Sequence, residues 1–313
     1  MHIEGDVITW SASELARASA CEFGFLRDLD ARQGRIAPLP DNPDAMLERT
    51  SVLGAQHEQR VLERYRHQHG DAVVVIPRPD RAAGVTTAEA HRLTREALTH
   101  RAPVVAQAAL ESVHDGARYV GYADFVVLEA DGTYRVEDTK LARSAKVTAL
   151  LQLAAYAEAL EAMGMRVHPT VSLVLGDGTR TDYSHADIAP VLHLRRDRLL
   201  AMVRERQRDG ATNGPPVAWN DPRYTICGAC PHCETEIEAT DDILTVATLS
   251  RGQRERLHAA GIVTTADLAA RTGPVPGIGR ETLDRLREQA RLQASATRGA
   301  PPRMRWWMRR RCA

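Results

Sequence analysis

The chain has 313 residues, 43% of them hydrophobic and 26% charged, a balance that buries a core and excludes a disordered or fibrous protein. Lysine plus arginine equals aspartate plus glutamate at 41 each, so any surface for a polyanion is local rather than global. No apolar run reaches the ~18 residues of a membrane-spanning helix, and the start, MHIEGDVITW, lacks the layout of a signal peptide; a cytoplasmic protein without a membrane partner is expected.

In chain order, Ser11 and Glu14 form a capping-box pattern ahead of a helix with apolar face Leu15, Ala18 and Phe25, and Cys21 falls in it or at its end. A polar, proline-containing stretch over 34–44 leads into a second helical pattern, 46–70, in which Leu53, Leu62 and Tyr65 are expected to face a core. Runs rich in β-branched and aromatic residues follow at 72–76, 104–110, 118–128 and 134–140, the last two joined by an Asp131-Gly132 turn. Helices are expected around 86–100 and 145–163, a strand at 170–175 ending in Gly176-Asp177-Gly178, and a long helix over about 186–208. Strands interleaved with helices on this scale indicate an α/β domain.

After Gly210 the composition turns to ATNGPPVAWNDPRY, a linker-like stretch that runs into a cysteine cluster. From Asp241 the pattern is wholly helical, with helices expected at 243–249, 251–260, 265–271 and from Arg280. The expected organisation is a catalytic domain over 1–235, a small all-α helix-hairpin-helix-like domain over 241–293, and a disordered basic tail over 294–313. In the second of these, Val275-Pro-Gly-Ile-Gly279 is a tight turn at a helix start, able to hold a DNA phosphate without reading sequence. A purely structural helical hairpin is the rival reading.

The most informative chemistry lies in Gly121-Tyr-Ala-Asp124 and Tyr134-Arg-Val-Glu-Asp138-Thr-Lys140. On adjacent strands of a hairpin, Asp124 and Asp138 can converge on one divalent ion, with Lys140 on the same face as Asp138. Carboxylates hold Mg²⁺ or Mn²⁺, the ion activates water and polarises a phosphate, and a lysine offsets developing charge. Glu137 alternates to the opposite face and is read as structural. His57, on an earlier helix, is a candidate nitrogen ligand, and Gln152 and Tyr156, four apart on a helix, share a face.

The ordered set Gly54-x-x-His57-Glu58, Gly121-x-x-Asp124, Asp138-x-Lys140 and Gln152-x-x-x-Tyr156 resembles the motif series of RecB-like PD-(D/E)xK nucleases. That group includes the AddB nuclease domain and the CRISPR-associated RecB-like exonucleases. The resemblance implies a restriction-endonuclease-like mixed sheet flanked by helices. It implies His57, Asp124, Asp138 and the backbone carbonyl of Thr139 as metal ligands and Lys140 as the catalytic lysine, with Gln152 and Tyr156 supporting substrate and site geometry. DNA is the implied substrate and a helicase domain or subunit an implied partner, because many relatives continue into helicase domains; by that measure the chain looks shortened.

Cys227, Cys230 and Cys233 form a C-x₂-C-x₂-C array, and the spacing leaves zinc, with His232 or a remote residue as fourth ligand, and a [4Fe–4S] cluster both open. Iron–sulfur members of the resembled group carry one cysteine before the nuclease core and three after it, which implies Cys21 as the remaining ligand and a [4Fe–4S] cluster, with zinc as the alternative. Cys312 is expected to be a free thiol. The functional expectation is a Mg²⁺- or Mn²⁺-dependent DNA nuclease of repair or recombination, acting on single-stranded or end-bearing DNA. Its rival is a DNA-binding accessory module that has lost catalysis.

Overall fold

The β-branched runs pair into a single mixed sheet of eight strands among the described residues. The structure is a computed structural model that describes residues 1–4, 7–40, 45–80, 82, 84–208 and 214–297. Its elements are β1 (His2–Glu4), β2 (Val7–Trp10), α1 (Ala12–Ala20), α2 (Glu22–Arg32), α3 (Ala45–His69), β3 (Val73–Val75), α4 (Thr87–Thr99), β4 (Val104–His114), β5 (Ala117–Leu128), β6 (Tyr134–Lys140), α5 (Val147–Ala162), β7 (Thr170–Leu175), β8 (Arg180–Ser184) and α6 (His185–Arg208), then α7 (Pro231–Thr240), α8 (Arg251–Ala259), α9 (Thr265–Ala270) and α10 (Arg280–Thr297). Two compact units result, one of Met1–Ala20 with Ala31–Pro215 and one of Cys21–Asp30 with Pro216–Ala313.

In the first unit β5 is the hub. It runs antiparallel to β4 from Val104↔Val127 to His114↔Ala117, and antiparallel to β6 from Phe125↔Glu137 to Leu128↔Tyr134. Its other end meets β2 in parallel at Thr9↔Arg118. The pairing of β6 with β7 is parallel, so the chain must cross over between them, and α5 is that crossover. Helix α5 is apolar on nearly every side and buries Leu151, Leu153, Ala154 and Leu160, as a helix enclosed by protein should. Helix α3 packs Val61 into a cluster with Val104, Ala106, Phe125, Val127 and Val174.

The sequence and the structure part company at several elements. On α3 the buried stripe runs through His57 and Val61, with Leu62 and Tyr65 partly buried against the same cluster, while Leu53 is 45% exposed. Strand β8 carries the polar sequence RTDYS with little burial, and the short β1 is likewise polar, so neither shows the apolar alternation that marks a strand. The opening helix breaks at Cys21 into α1 and α2, which puts Phe25 on α2.

In the second unit, Ile243, Val246, Leu257, Ile262, Leu268, Val275, Leu283, Leu286 and Ala290 form one core. Capping boxes at Ser250 and Thr264 start α8 and α9. The expected helix over 243–249 shrinks to a single 3₁₀ turn, Ile243–Thr245, started by the Asp242 side chain accepting from the Leu244 amide. Thr248 then adopts a left-handed backbone, φ 71°, which no helix continues through. Helix α10 persists to Thr297, into the stretch expected to be disordered; the rest of that tail, 298–313, with Cys312, lies outside the described residues. No helix among the described residues is long and apolar enough to cross a membrane.

Candidate active site

The β5–β6 register places Asp124 and Asp138 one step beyond the Phe125↔Glu137 pair, so the two carboxylates share a face and Glu137 takes the other. Thr139 fixes Asp124: its amide and its hydroxyl each donate to Oδ2 at 2.8 Å. Asp138 is 1% exposed, its Oδ2 is ion-paired with the Lys140 ammonium, and its buried Oδ1 has no hydrogen-bond partner among the described residues. Burial first, then the charge of Asp124, pushes the Asp138 carboxyl up to about 8, against the pull of Lys140. A buried carboxylate with an orphaned oxygen, beside a second carboxylate, fits the hard oxygen ligation that Mg²⁺ or Mn²⁺ requires.

Gln152 and Tyr156 lie on α5, where the Gln152 amide donates to the tyrosine oxygen at 2.6 Å. Burial, then the charge of Asp138, raises the Tyr156 hydroxyl well above an ordinary phenol, so it stays a neutral hydrogen-bonding group beside the acidic pair. The Tyr156 ring explains Gly121. A Cβ built there would stand 2.6 Å from Tyr156 Cε1 and 2.9 Å from Tyr119 Cζ, so the glycine serves close ring approach rather than an unusual turn. Gly121→Ala is therefore expected to lose about 1–3 kcal/mol in chemical denaturation, the usual cost of overpacking.

Asp124, Asp138, Lys140, Gln152 and Tyr156 all line one cavity of about 940 Å³, with Arg78 and Lys146 adding positive charge. His57 stands apart from that set. Its Nε2 lies 3.3 Å from the Val174 carbonyl oxygen, and its ligand atoms are not gathered with those of Asp124 and Asp138 into one compact group.

Its neighbour Glu58 approaches the acidic pair instead. Burial, then the charge of Asp124, raises the Glu58 carboxyl, which accepts from the Gln107 amide; Gln107 in turn accepts from Arg78 Nε at 2.5 Å. Gln107 has φ 55° in mid-strand, a conformation costly for a non-glycine residue and tied here to this hydrogen-bonded chain. Sequence reasoning gave Glu58 no role and passed over Arg78 and Gln107, because a mid-strand left-handed residue leaves no trace in hydropathy.

On the opposite face, Glu137 accepts from the Tyr65 hydroxyl at 2.6 Å, and Arg180 Nε lies 3.4 Å from its second oxygen. Tyr65→Phe should cost about 1–3 kcal/mol in urea denaturation, because it strips a hydrogen bond from a buried carboxylate.

The second unit brings all four predicted cysteines together. Cys21 follows α1, Cys227 and Cys230 precede α7, and Cys233 lies within it, and the four sulfurs lie within 4.8 Å of one another. Hydrogen bonding with Cys21 is the main influence on its neighbours, lowering the Cys227 thiol and raising Cys230 and Cys233 far above the ordinary range. Four sulfurs this close can all be thiolates only around a cation. His232 is turned away to Asp28 Oδ1, 2.8 Å from Nε2, so the quartet is all cysteine.

No curated protein matches the chain. Among solved structures, a candidate exonuclease from Eubacterium rectale is 14% identical at a TM-score of 0.39, covering 74% of this chain and 92% of that one. SSO0001 is 13% identical at a TM-score of 0.30, covering 64% of this chain and 79% of its own. Likenesses that distant carry no weight for function. Residues 9–236 match the PD-(D/E)XK nuclease superfamily, a span of more than two thirds of the chain that runs from within β2 into α7 and takes in Glu58, Asp124, Glu137 and Asp138. The mixed sheet flanked by helices is the restriction-endonuclease-like fold of that group, and the chain belongs to the PD-(D/E)XK nuclease superfamily.

Proposed function

We propose that this protein is a Mg²⁺- or Mn²⁺-dependent deoxyribonuclease of DNA repair or recombination, acting on single-stranded or end-bearing DNA. The observation that carries the reading is Asp138, a carboxylate buried beside Asp124, lacking a partner on Oδ1 and paired with Lys140. Asp124, Asp138 and the Thr139 carbonyl would hold the metal, and His57 would join them on leaving its contact with the Val174 carbonyl. A divalent ion there supplies Lewis acidity toward a phosphate and lowers the pKa of a bound water.

The chain's own groups do the rest. Thr139 holds Asp124 in place through two hydrogen bonds, so the carboxylate needs no reorganisation. Lys140 carries its charge to the acidic pair, where it offsets the negative charge that builds on a phosphate under attack. The Gln152–Tyr156 pair walls one side of the cavity, and Arg78 and Lys146 offer sequence-independent contacts to the DNA backbone.

In the second unit, the Val275-to-Ile278 turn before α10, with Gly277 at φ 77°, supports a helix-hairpin-helix contact with phosphate. The resemblance implies a [4Fe–4S] cluster on the cysteine quartet, with zinc as the alternative. A cytoplasmic location is proposed on the sequence, and a helicase partner on the resemblance alone.

The test is digestion of end-labelled single- and double-stranded DNA with Mg²⁺ and with Mn²⁺. Cleavage that chelator abolishes and metal restores is the expected result. DNA binding without cleavage under both metals would overturn the enzymatic reading in favour of an accessory DNA-binding module.

A further inference from the structure

We infer that the cysteine quartet is a mononuclear, tetrahedral zinc site and not a cubane iron–sulfur site. The inference rests on the geometry of the sulfurs and is independent of whether the chain cleaves DNA.

The distances decide it. Cys21 Sγ lies 3.6 Å from Cys233 Sγ and 3.8 Å from Cys230 Sγ, and Cys227 Sγ lies 3.9 Å from Cys233 Sγ. Four sulfurs at the corners of a tetrahedron around one ion, each at a Zn–S bond of roughly 2.3 Å, stand about 3.8 Å apart. A cubane gives every thiolate its own iron corner, so its sulfurs are separated by the width of the cluster and two outward Fe–S bonds. The span of 4.8 Å that contains all four sulfurs here leaves no room for that core.

The backbone around the quartet is built to the same scale. Amides donate to the sulfurs at short range: Gly24 and Cys227 to Cys21 Sγ at 3.3 Å, Ala229 to Cys227 Sγ at 3.3 Å, and Cys230 to Cys227 Sγ at 3.1 Å. Such donors spread the excess negative charge of four thiolates on one dication. Gly24 sets the closeness of the wall, because a Cβ there would stand 2.8 Å from Cys230 Sγ and 3.4 Å from Cys21 Sγ. With His232 committed to Asp28, the closed donor set is Cys21, Cys227, Cys230 and Cys233, the four-sulfur shell of a structural zinc site with no open position. Loading converts whichever ligands are thiols to thiolates and releases their protons to solvent, with no change of oxidation state.

The full-length protein, purified anaerobically from cells supplied with iron, cysteine and zinc together, tests this by metal analysis and visible absorption. About one zinc per chain, negligible iron and a colourless solution are expected, and replacement by Co²⁺ should give the intense visible bands of tetrahedral cobalt thiolate. Gly24→Ala should weaken zinc about tenfold or more in a competition titration with a chromophoric chelator, as substitutions around metal ligands do. A brown protein with about four irons per chain overturns the inference, as does a chain that takes up neither metal. Because none of these readouts involves DNA, a failed cleavage assay and a failed zinc assignment remain separate results.

Discussion

Asp138→Asn is expected to lower kcat/KM for DNA cleavage by about a thousandfold or more, the several kcal/mol that metal-borne charge stabilisation supplies. The same variant should fold at least as stably as the parent in the absence of metal. Asparagine keeps the volume and removes a charge that burial and Asp124 both oppose. Loss of cleavage with a retained or raised midpoint in thermal denaturation therefore separates catalysis from folding. Retained cleavage in a clean preparation would sink the assignment of Asp138.

The raised carboxyl gives that experiment a pH signature. With Asp138 near 8 in the folded chain and about 4 when unfolded, the folded state holds a proton through that interval that the unfolded state has released. Raising the pH from about 4 to 8 therefore favours unfolding of the metal-free protein, by at most about 1.4 kcal/mol per unit from this group. Below the interval both states are protonated and above it both are ionised, so the contribution is flat at either end. Glu58 and Glu137 are also pushed up, chiefly by burial, and add to the slope in the same direction. Asp138→Asn should remove one share of it, and Mg²⁺ or Mn²⁺ added near pH 8 should restore stability to the parent but not to the variant.

Much of the site was readable because strand alternation and turn chemistry act locally. Asp131 caps its own turn, accepting from the Thr133 amide and hydroxyl, and the hairpin it directs sets Asp124 against Asp138. Glu137 faces the other way for the same reason, and β7 matches its expected span at both ends. What escaped depends on partners distant in sequence. The Glu58–Gln107–Arg78 chain links α3, β4 and a loop through a strained backbone, and Gly121 answers to a ring on α5. Helix α7 was not foreseen, because its ten residues, PHCETEIEAT, carry almost no apolar face; proline in its first turn, Cys230 at its N-cap and Cys233 inside it define it instead.

Removing the metal from the cysteine quartet, by chelation or by Cys227→Ser, should unfold part of the second unit and leave its helical core standing. Helices α8 to α10 enclose their own apolar cluster from Ile243 to Ala290, which no cysteine enters. The segments around the quartet lie outside that cluster, although Phe23, Phe25, Leu26, Leu29, Val217 and Ile237 are buried there. They are also joined by the Phe23–Trp219 ring contact, 5.0 Å between centroids, by the Phe23 amide to the Thr225 carbonyl, by the Thr225 amide to Glu22, by the Val217 amide to Asp30, and by the partly buried Arg27–Glu236 pair. Each such polar contact contributes on the order of 1 kcal/mol net, whereas a structural metal contributes about 10 kcal/mol or more to the fold that binds it. Hydrogen exchange should accordingly show lost protection across 21–30 and 216–237 and retained protection in α8 to α10. Cys21 and Cys233 are separated by 212 positions in sequence, so the same experiment measures how far a single metal centre, rather than packing, holds two remote stretches of chain together. Unchanged exchange around the quartet after complete metal loss would show that the buried side chains and polar contacts there suffice and that the metal is dispensable to the fold.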